Sequence, residues 1–292
     1  MNILSEFDYY APTSKQEALE LAEKLGDKAK IMAGGTDLII QMKEKMIAPE
    51  AIIDISGVAE FKGLKLEKGK GAEIGACTTI SELEFSDELK GKYGALAYAA
   101  GELGGNAVRV SATIGGNCCH SSPAAETPAS LSAYGAKVVL SSLKGDREMA
   151  IEDFIVGNRK NELQPGEILT KFVLPEPAAK SACRYGYIGL RNAMEIDAVN
   201  MAVNITVDGD KIADVKLVMG SVSPRPLISE AVPALLKGQV LTEELIQKVG
   251  EAAQGEAKPI SDVRASAEYR RDVVGALARR LTKEAYDAAK GA

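Results

Sequence analysis

Two glycine pairs constrain the fold more than any other feature of this sequence. The first lies in residues 33–37, Ala-Gly-Gly-Thr-Asp, directly after a short apolar run. The second lies much later, in residues 113–117, Thr-Ile-Gly-Gly-Asn. Glycine permits positive φ and close approach of the backbone, so that consecutive N–H groups can turn toward an anion. Each pair therefore predicts a phosphate-binding turn, the first of them between a strand and a helix.

A plain turn is the alternative interpretation of either pair alone, because strand-to-helix connections use glycine routinely. Two turns of the same pattern fit a dinucleotide, whose diphosphate can be held from two sides. Neither turn matches the P-loop or the Rossmann fingerprint. Thr36 offers a hydroxyl donor, whereas the Asp37 carboxylate would repel phosphate and is expected to cap a helix or to face a ribose hydroxyl.

Composition excludes several classes of protein. The 292 residues contain 35 Lys and Arg against 41 Asp and Glu, a net charge of −6 without a basic cluster, so no nucleic-acid partner is expected. No apolar run reaches the ~18 residues of a membrane span, and the first residues lack the pattern of a signal peptide. We therefore expect a cytoplasmic protein with no membrane partner.

Few side chains are available for catalysis or for metal binding. The four cysteines show no C-x-x-C spacing, which predicts reduced thiols and no metal site. His120 is the single histidine, which excludes a His-rich metal centre and disfavours a histidine-activated nucleophile. No catalytic side chain is predicted, and a bound cofactor is expected to carry any enzyme chemistry.

Hydrophobic periodicity predicts an N-terminal domain at residues 1–177, with subdomains at about 1–57 and 58–177. The first subdomain shows a β-α-β-α-β pattern. Its first helix starts at the capping box of Ser14 and Glu17 and ends at Gly26, a second helix is predicted at 38–43, and strands are predicted at 30–33 and 51–55. The second shows an α+β pattern. It contains a hairpin in residues 64–75, helices at 94–103 and 123–133, and a strand at 137–140.

Pro175 and Pro177 mark a linker to a C-terminal domain at residues 178–292. Strands are predicted at 198–207 and 215–222, and helices at 229–236, 242–253 and 263–289. We expect a three-stranded antiparallel sheet covered by helices on one side. The fold class of the whole chain is therefore α+β with α/β elements.

Four ordered segments resemble one family, the FAD-binding medium subunits of the xanthine dehydrogenase and carbon monoxide dehydrogenase group of molybdenum hydroxylases. Residues 30–37 resemble the family's first FAD loop, and residues 109–117 resemble its second, in which an arginine precedes T-x-G-G-N. Residues 191–196 and 263–270 resemble elements of its C-terminal domain. The resemblance covers nearly the whole chain and implies a two-subdomain FAD-binding domain over which a C-terminal domain closes.

The resemblance also implies which residues contact FAD. The two turns would bind the diphosphate and adjoining groups, Leu169 would supply an apolar contact, and Glu126 would lie near the sugar or ribityl hydroxyls. An equally weighted interpretation makes Glu126 a helix first-turn acid. At Tyr187 several relatives carry a lysine and at Leu103 some carry an aromatic, so electrostatic tuning of the flavin by a fixed cation is in doubt. The expected cofactor-binding residues are Lys30, Ile31, Met32, Ala33, Gly34, Gly35, Thr36, Asp37, Thr113, Ile114, Gly115, Gly116, Asn117, Glu126, Leu169 and Tyr187.

The function that the resemblance implies is electron transfer within a hetero-oligomer. A molybdopterin-binding large subunit would oxidise the substrate, a [2Fe-2S] small subunit would relay electrons, and FAD in this chain would pass them to NAD or another acceptor. A xanthine or purine substrate is expected first, with nicotinate, other N-heterocycles or carbon monoxide as alternatives. A stand-alone FAD reductase of the enolpyruvyl-UDP-glucosamine type and a non-catalytic scaffold are the other hypotheses.

Overall fold

The structure, a computed structural model, describes residues 4–191 and 194–292. Asn192 and Ala193, which belong to the third segment of family resemblance, lie outside the described residues, as do residues 1–3. None of the helices in the described ranges combines the length and the apolar character needed to cross a membrane.

A small parallel sheet opens the chain, and its β-α-β-α-β order confirms the predicted pattern, whose first strand the sequence did not locate. Its strand order is β1-β3-β2, with β3 central and buried. The Ser14 hydroxyl accepts a hydrogen bond from the Glu17 N–H and so starts the first helix, and Gly26 ends it. The elements are β1 (Asp8–Tyr10), α1 (Lys15–Leu25), β2 (Ala29–Met32), α2 (Leu38–Lys43) and β3 (Ala51–Asp54).

The middle of the chain forms a five-stranded antiparallel sheet in the order β4-β5-β10-β6-β7. The predicted hairpin is confirmed, because Leu64 pairs with Ile74. Helix α4 begins earlier than predicted, at Asp87, because Ser86 caps it, and non-helical dihedrals at Tyr93 interrupt it just before the predicted start. The elements are β4 (Leu64–Glu67), β5 (Gly71–Gly75), α3 (Ile80–Phe85), α4 (Asp87–Glu102), α5 (Asn106–Arg109), α6 (Ile114–His120), α7 (Thr127–Ala133), β6 (Lys137–Ser142), β7 (Gly145–Ala150), α8 (Ile151–Phe154), β8 (Ile155–Gly157), β9 (Lys160–Asn161) and β10 (Ile168–Leu174).

The C-terminal part is an antiparallel sheet in the order β11-β12-β13-β14 with helices packed against it. The prediction of three strands was wrong by one, because the two residues of β14 pair with the end of β13. Arg270 is buried, pairs with Asp262 at 2.8 Å and donates to the carbonyl oxygens of Ala198 and Ser221, which ties α11 to the sheet. The elements are β11 (Ser181–Ile188), β12 (Val199–Asp208), β13 (Lys211–Gly220), β14 (Leu227–Ile228), α9 (Ala231–Leu236), α10 (Glu243–Glu256) and α11 (Ala267–Gly291).

The C-terminal sheet is covered on both faces. Helices α9, α10 and α11 bury one face. The other face, through residues such as Tyr185 and Ala202, joins the apolar core that contains α4 and α7. The middle and C-terminal parts therefore share one continuous core, and the two glycine turns lie on the N-terminal side of this junction.

Candidate functional site: two glycine turns beside a cavity

The first glycine turn packs directly against the segment that leads into the second. Gly34 lies so close to this segment that a Cβ atom on it would stand 1.9 Å from the carbonyl oxygen of Ser111 and 3.0 Å from the Cα of Ala112. Gly35 has a φ of +70°, a conformation that side chains with a Cβ rarely adopt. The two turns are therefore neighbours in space although many residues separate them in sequence.

The first turn presents backbone donors without acceptors. No described residue accepts a hydrogen bond from the backbone N–H of Gly34, Gly35, Thr36 or Asp37. This turn lies between the end of β2 and the start of α2 and is partly exposed. Four consecutive free N–H groups form the donor set that a phosphate group needs.

The second glycine pair, which the sequence predicted to form a free phosphate-binding turn, lies instead in the first turn of α6. The Thr113 hydroxyl accepts a hydrogen bond from the Gly116 N–H at 3.1 Å, so Thr113 caps the start of α6. The Gly115 N–H donates to the Ala76 carbonyl at 2.9 Å, and a Cβ atom on Gly115 would lie 2.7 Å from that oxygen. Every backbone N–H from residue 114 to residue 117 is bonded within the protein. Gly115 thus serves close packing against the end of β5.

A cavity of about 390 Å³ lies beside both turns. Ile114, with a fully buried side chain, belongs instead to the apolar core. Of the residues that the sequence indicated, six line the cavity: Lys30, Ile31, Ala33, Gly115, Gly116 and Leu169. Ten lie outside its lining: Met32, Gly34, Gly35, Thr36, Asp37, Thr113, Ile114, Asn117, Glu126 and Tyr187.

Residues 161–167, the segment that follows β9, form a wall of this cavity that the sequence analysis missed. Asn161, Leu163, Gln164 and Pro165 line the cavity there. These residues carry no motif, and only the tertiary structure brings them opposite the glycine turns. The local signal here is the Pro-Gly step at residues 165–166, which indicates a turn rather than a binding site.

Asn117 and Glu126 lie beside the first turn. The Asn117 side-chain amide donates to the Glu126 carboxylate at 3.2 Å, and its oxygen accepts from the Thr127 hydroxyl at 2.6 Å. Glu126 precedes α7 but makes no capping hydrogen bond with its side chain. Burial raises the pKa of Glu126 to about 7, and the negative charge of Asp37 contributes. Asp37 also lies 3.7 Å from the ring Nδ1 of His120.

Asp197, a second buried carboxylate, was not indicated by the sequence. Its side chain accepts hydrogen bonds from the Tyr185 hydroxyl at 3.2 Å and from the Asn200 amide at 3.1 Å. The same amide of Asn200 donates to the Ala125 carbonyl at 3.3 Å, which links β12 to the segment of Glu126. Burial, and then the negative charge of Glu126, raise the pKa of Asp197 to about 8.

Because the pKa values of Glu126 and Asp197 are raised in the folded state, we expect the cofactor-free protein to lose stability as the pH rises. The unfolded-state pKa values are 4.5 and 3.8, so between about pH 5 and 8 the folded protein binds more protons than the unfolded chain. We expect the free energy of unfolding to fall by roughly 6 kcal/mol over this range, because each carboxyl group that keeps an extra proton in the folded state contributes about 1.4 kcal/mol per pH unit. Urea denaturation at pH 5.5 and 8.0 measures the effect. The double variant Glu126→Gln and Asp197→Asn should flatten the profile, and an unchanged slope would contradict the assignment.

Tyr187 lies in β11, near the junction of the two parts of the chain. A hydrogen bond to the Glu102 carboxylate, and then burial, raise the pKa of Tyr187 well above its usual value, so its phenol stays neutral. Nearby, the rings of Tyr98 and Tyr185 pack edge to face with centroids 6.0 Å apart. Leu103 is nearly buried. Tyr187 therefore faces an acidic and aromatic surface as a neutral phenol.

The site has no internal metal-binding arrangement. Within the described ranges, no three His, Cys, Asp or Glu side chains come together as metal ligands. All four cysteines are free thiols, and burial raises the pKa of Cys77 to about 12. The donors fit a dinucleotide instead. The free amides of residues 34–37 suit a diphosphate, the partly apolar cavity suits one nucleoside half, and Glu126 offers a carboxylate for hydroxyl groups.

Fold and site together define a flavoprotein component of an oxidoreductase. The sequence profile of the FAD binding domain in molybdopterin dehydrogenase matches residues 5–177, and that of the CO dehydrogenase flavoprotein C-terminal domain matches residues 187–285. The chain belongs to the FAD-binding medium subunits of the CO and xanthine dehydrogenase family of molybdenum hydroxylases.

Individual relatives agree with this assignment. The carbon monoxide dehydrogenase medium chain of Afipia carboxidovorans is 31% identical over 289 residues, which cover 99% of each chain. The xanthine dehydrogenase FAD-binding subunit of Escherichia coli O157:H7 is 28% identical over 284 residues, or 97% of each chain.

A solved structure gives the same result. It is the carbon monoxide dehydrogenase of Hydrogenophaga pseudoflava that lacks the Mo-pyranopterin moiety of the molybdenum cofactor. One of its chains superposes on this chain with a TM-score of 0.93 at 30% identity. The match covers 98% of this chain and 99% of that chain. These matches confirm the predicted family, the fold class, FAD as the cofactor and the assignment to the oxidoreductases.

Proposed function

We propose that this chain accepts electrons from a [2Fe-2S] small subunit and passes them to NAD or another acceptor, in a complex whose molybdopterin-binding large subunit oxidises the substrate. The observation that carries the proposal is the row of four free N–H groups in the first turn, held against the second turn beside the cavity. FAD supplies both one-electron and two-electron exchange when bound. The chain's own residues would bind, orient and shield it.

The sixteen residues that the sequence indicated for the cofactor site stay part of this proposal, thirteen as contacts and three as supports of the two turns. The cavity-lining residues Lys30, Ile31, Ala33, Gly115, Gly116 and Leu169 would enclose one half of FAD. Residues 34–37 would bind the diphosphate through their N–H groups, and Met32, Thr113 and Ile114 would support the turns. Asn117, Glu126 and Tyr187 would face the other half, where the two parts of the chain meet. The proposed domain boundary at residues 177 and 178 would fall in the connection between β10 and β11.

The substrate and the location in the cell belong to the same proposal. The segments at 191–196 and 263–270 favour a xanthine or purine complex, with nicotinate, other N-heterocycles or carbon monoxide as alternatives. The 31% and 28% identities to carbon monoxide and xanthine relatives are too similar to separate these substrates. We propose a cytoplasmic location, which the four free thiols support.

Affinity purification of the tagged full-length chain from its own cells tests the proposal. We expect a yellow complex that contains about one FAD per chain and two further subunits, one with molybdopterin and one with iron and acid-labile sulfide. Anaerobic reduction with candidate substrates, purines first, should bleach the flavin absorption. A yellow chain that purifies alone, reduced directly by a nicotinamide nucleotide, would support a stand-alone reductase instead.

A further inference from the structure

The wall formed by residues 161–167 is fixed at both of its ends. At its start, the Asn161 side-chain amide donates to the Cys119 carbonyl at 2.8 Å, which joins the wall to the end of α6. Near its end, Gly166 has a φ of +79° and packs against α1, where a Cβ atom would lie 2.3 Å from the carboxylate of Glu23. The wall therefore contacts both α6, which contains the second glycine pair, and α1.

One ion pair orders the wall between these two points. The Arg147 guanidinium binds the Glu167 carboxylate through two parallel hydrogen bonds, Nε to Oε1 at 2.6 Å and Nη2 to Oε2 at 2.8 Å. The same Nη2 donates to the Glu162 carbonyl at 2.6 Å. Glu167 in turn accepts from the Gln164 N–H at 2.8 Å. Arg147, on β7, thus holds three residues of one loop in a fixed arrangement.

The pair has the features of a positioning device rather than of a surface salt bridge. The Glu167 side chain is only 8% exposed, and Glu167 also lines the cavity. The Arg147 guanidinium lowers the pKa of Glu167, so this carboxylate is charged at neutral pH. A bidentate pair with a nearly buried carboxylate fixes geometry that a single contact between exposed side chains leaves free.

The chemistry of the cavity indicates which half of the cofactor it accepts. All residues that line it lie between Ala22 and Leu169, so the C-terminal sheet contributes nothing to it. The redox-active ring of a flavin must remain within reach of an electron donor and an acceptor. Adenosine takes no part in electron transfer and needs only an enclosed site with apolar faces. Leu163, Pro165 and Ile31 offer such faces.

We propose that Arg147 and Glu167 are positioning residues, which hold residues 161–167 as the wall against which the adenosine half of FAD binds. The proposal rests on the proposed function, because it assumes that FAD occupies the site. It assigns a role to Arg147, which lies outside the cavity lining and acts through Glu167 and the loop that the pair orders.

The test compares ligand halves on the deflavinated full-length chain. Arg147→Met should weaken the binding of FAD and of ADP by about tenfold, which corresponds to about 1.4 kcal/mol, and leave FMN binding unchanged. Flavin fluorescence titration measures FAD and FMN, and calorimetry measures ADP. Arg147→Lys keeps the charge but loses the two-point geometry, so its ADP affinity should fall between those of the wild type and Arg147→Met.

A matched control is Lys216→Met, which removes the cation from a partly buried pair with Glu152, 2.7 Å apart, outside the cavity lining. We expect it to lower the melting temperature without changing the affinity for any of the three ligands. If Arg147→Met does not fold, Glu167→Gln tests the same selective loss of ADP.

Equal losses of FMN and ADP affinity, or unchanged ADP affinity in the variants, would overturn the positioning role. A wild-type chain that binds no ADP would overturn the assignment of the cavity to adenosine. A wild-type chain that takes up no FAD would contradict the proposed function itself, which is a separate result of the same titrations.

Discussion

Replacing Gly34 with alanine should abolish FAD retention. The added Cβ would lie 1.9 Å from the Ser111 carbonyl oxygen, a backbone atom that cannot rotate away, so the first turn must move off the segment before the second. We expect purified Gly34→Ala protein to retain less than about a tenth of the wild-type flavin, which corresponds to a loss of more than about 1.4 kcal/mol. The ratio of flavin absorption to protein measures it.

Gly91→Ala is the matched control for this substitution. Gly91 is exposed in α4, and a Cβ atom there meets nothing within 4 Å, so alanine should leave flavin content unchanged and stability equal or slightly higher. Circular dichroism of both cofactor-free variants separates a binding defect from unfolding. A folded Gly34→Ala protein with full FAD content would show that contact between the turns is not required for binding.

Replacing Gly35 with alanine should separate flavin affinity from folding stability. Gly35 has a φ of +70°, and its nearest neighbours to an added Cβ are side-chain atoms of Ile39 and Met32 at 3.3 Å, which can adjust. Alanine in this conformation costs roughly 1 kcal/mol. Relief of that strain would rotate the N–H groups of the turn, so we expect FAD affinity to fall by at least about tenfold in fluorescence titrations.

Gly238→Ala provides the same backbone strain away from the site. Gly238 has a φ of +79° in an exposed turn after α9, with nothing within 4 Å of an added Cβ. Both variants should lose a similar amount of unfolding free energy, but only Gly35→Ala should lose FAD affinity. If the two variants bound FAD equally well, the conformation of the first turn would have no role in cofactor binding.

Local sequence signals predicted most of the secondary structure. The Ser14 cap and the following apolar spacing define α1, and the turn residues between β4 and β5 define the hairpin. Elements that depend on tertiary partners were missed. The fourth C-terminal strand, Leu227–Ile228, is too short to show a pattern and exists because β13 offers it an edge. The three residues of β1, Asp8–Tyr10, are defined in the same way by pairing with β3.

The features of the candidate site also differ in whether local sequence could predict them. The glycine pairs could be predicted from the sequence, because glycine is the residue used where the backbone needs positive φ or a close approach. The sequence could not reveal that the second turn uses its own N–H groups for capping and packing, because Ala76 comes from another element. Glu167 and Asp197 look like ordinary surface acids in the sequence. Their burial and partners, Arg147 among them, arise only when distant strands and loops pack together.

An FAD-bound structure of the full-length chain would show whether the first turn binds the diphosphate. We expect the diphosphate oxygens within hydrogen-bond distance, about 3 Å, of the N–H groups of residues 34–37, with adenosine in the cavity beside Leu169. A diphosphate bound elsewhere, with those N–H groups open to solvent, would contradict this expectation.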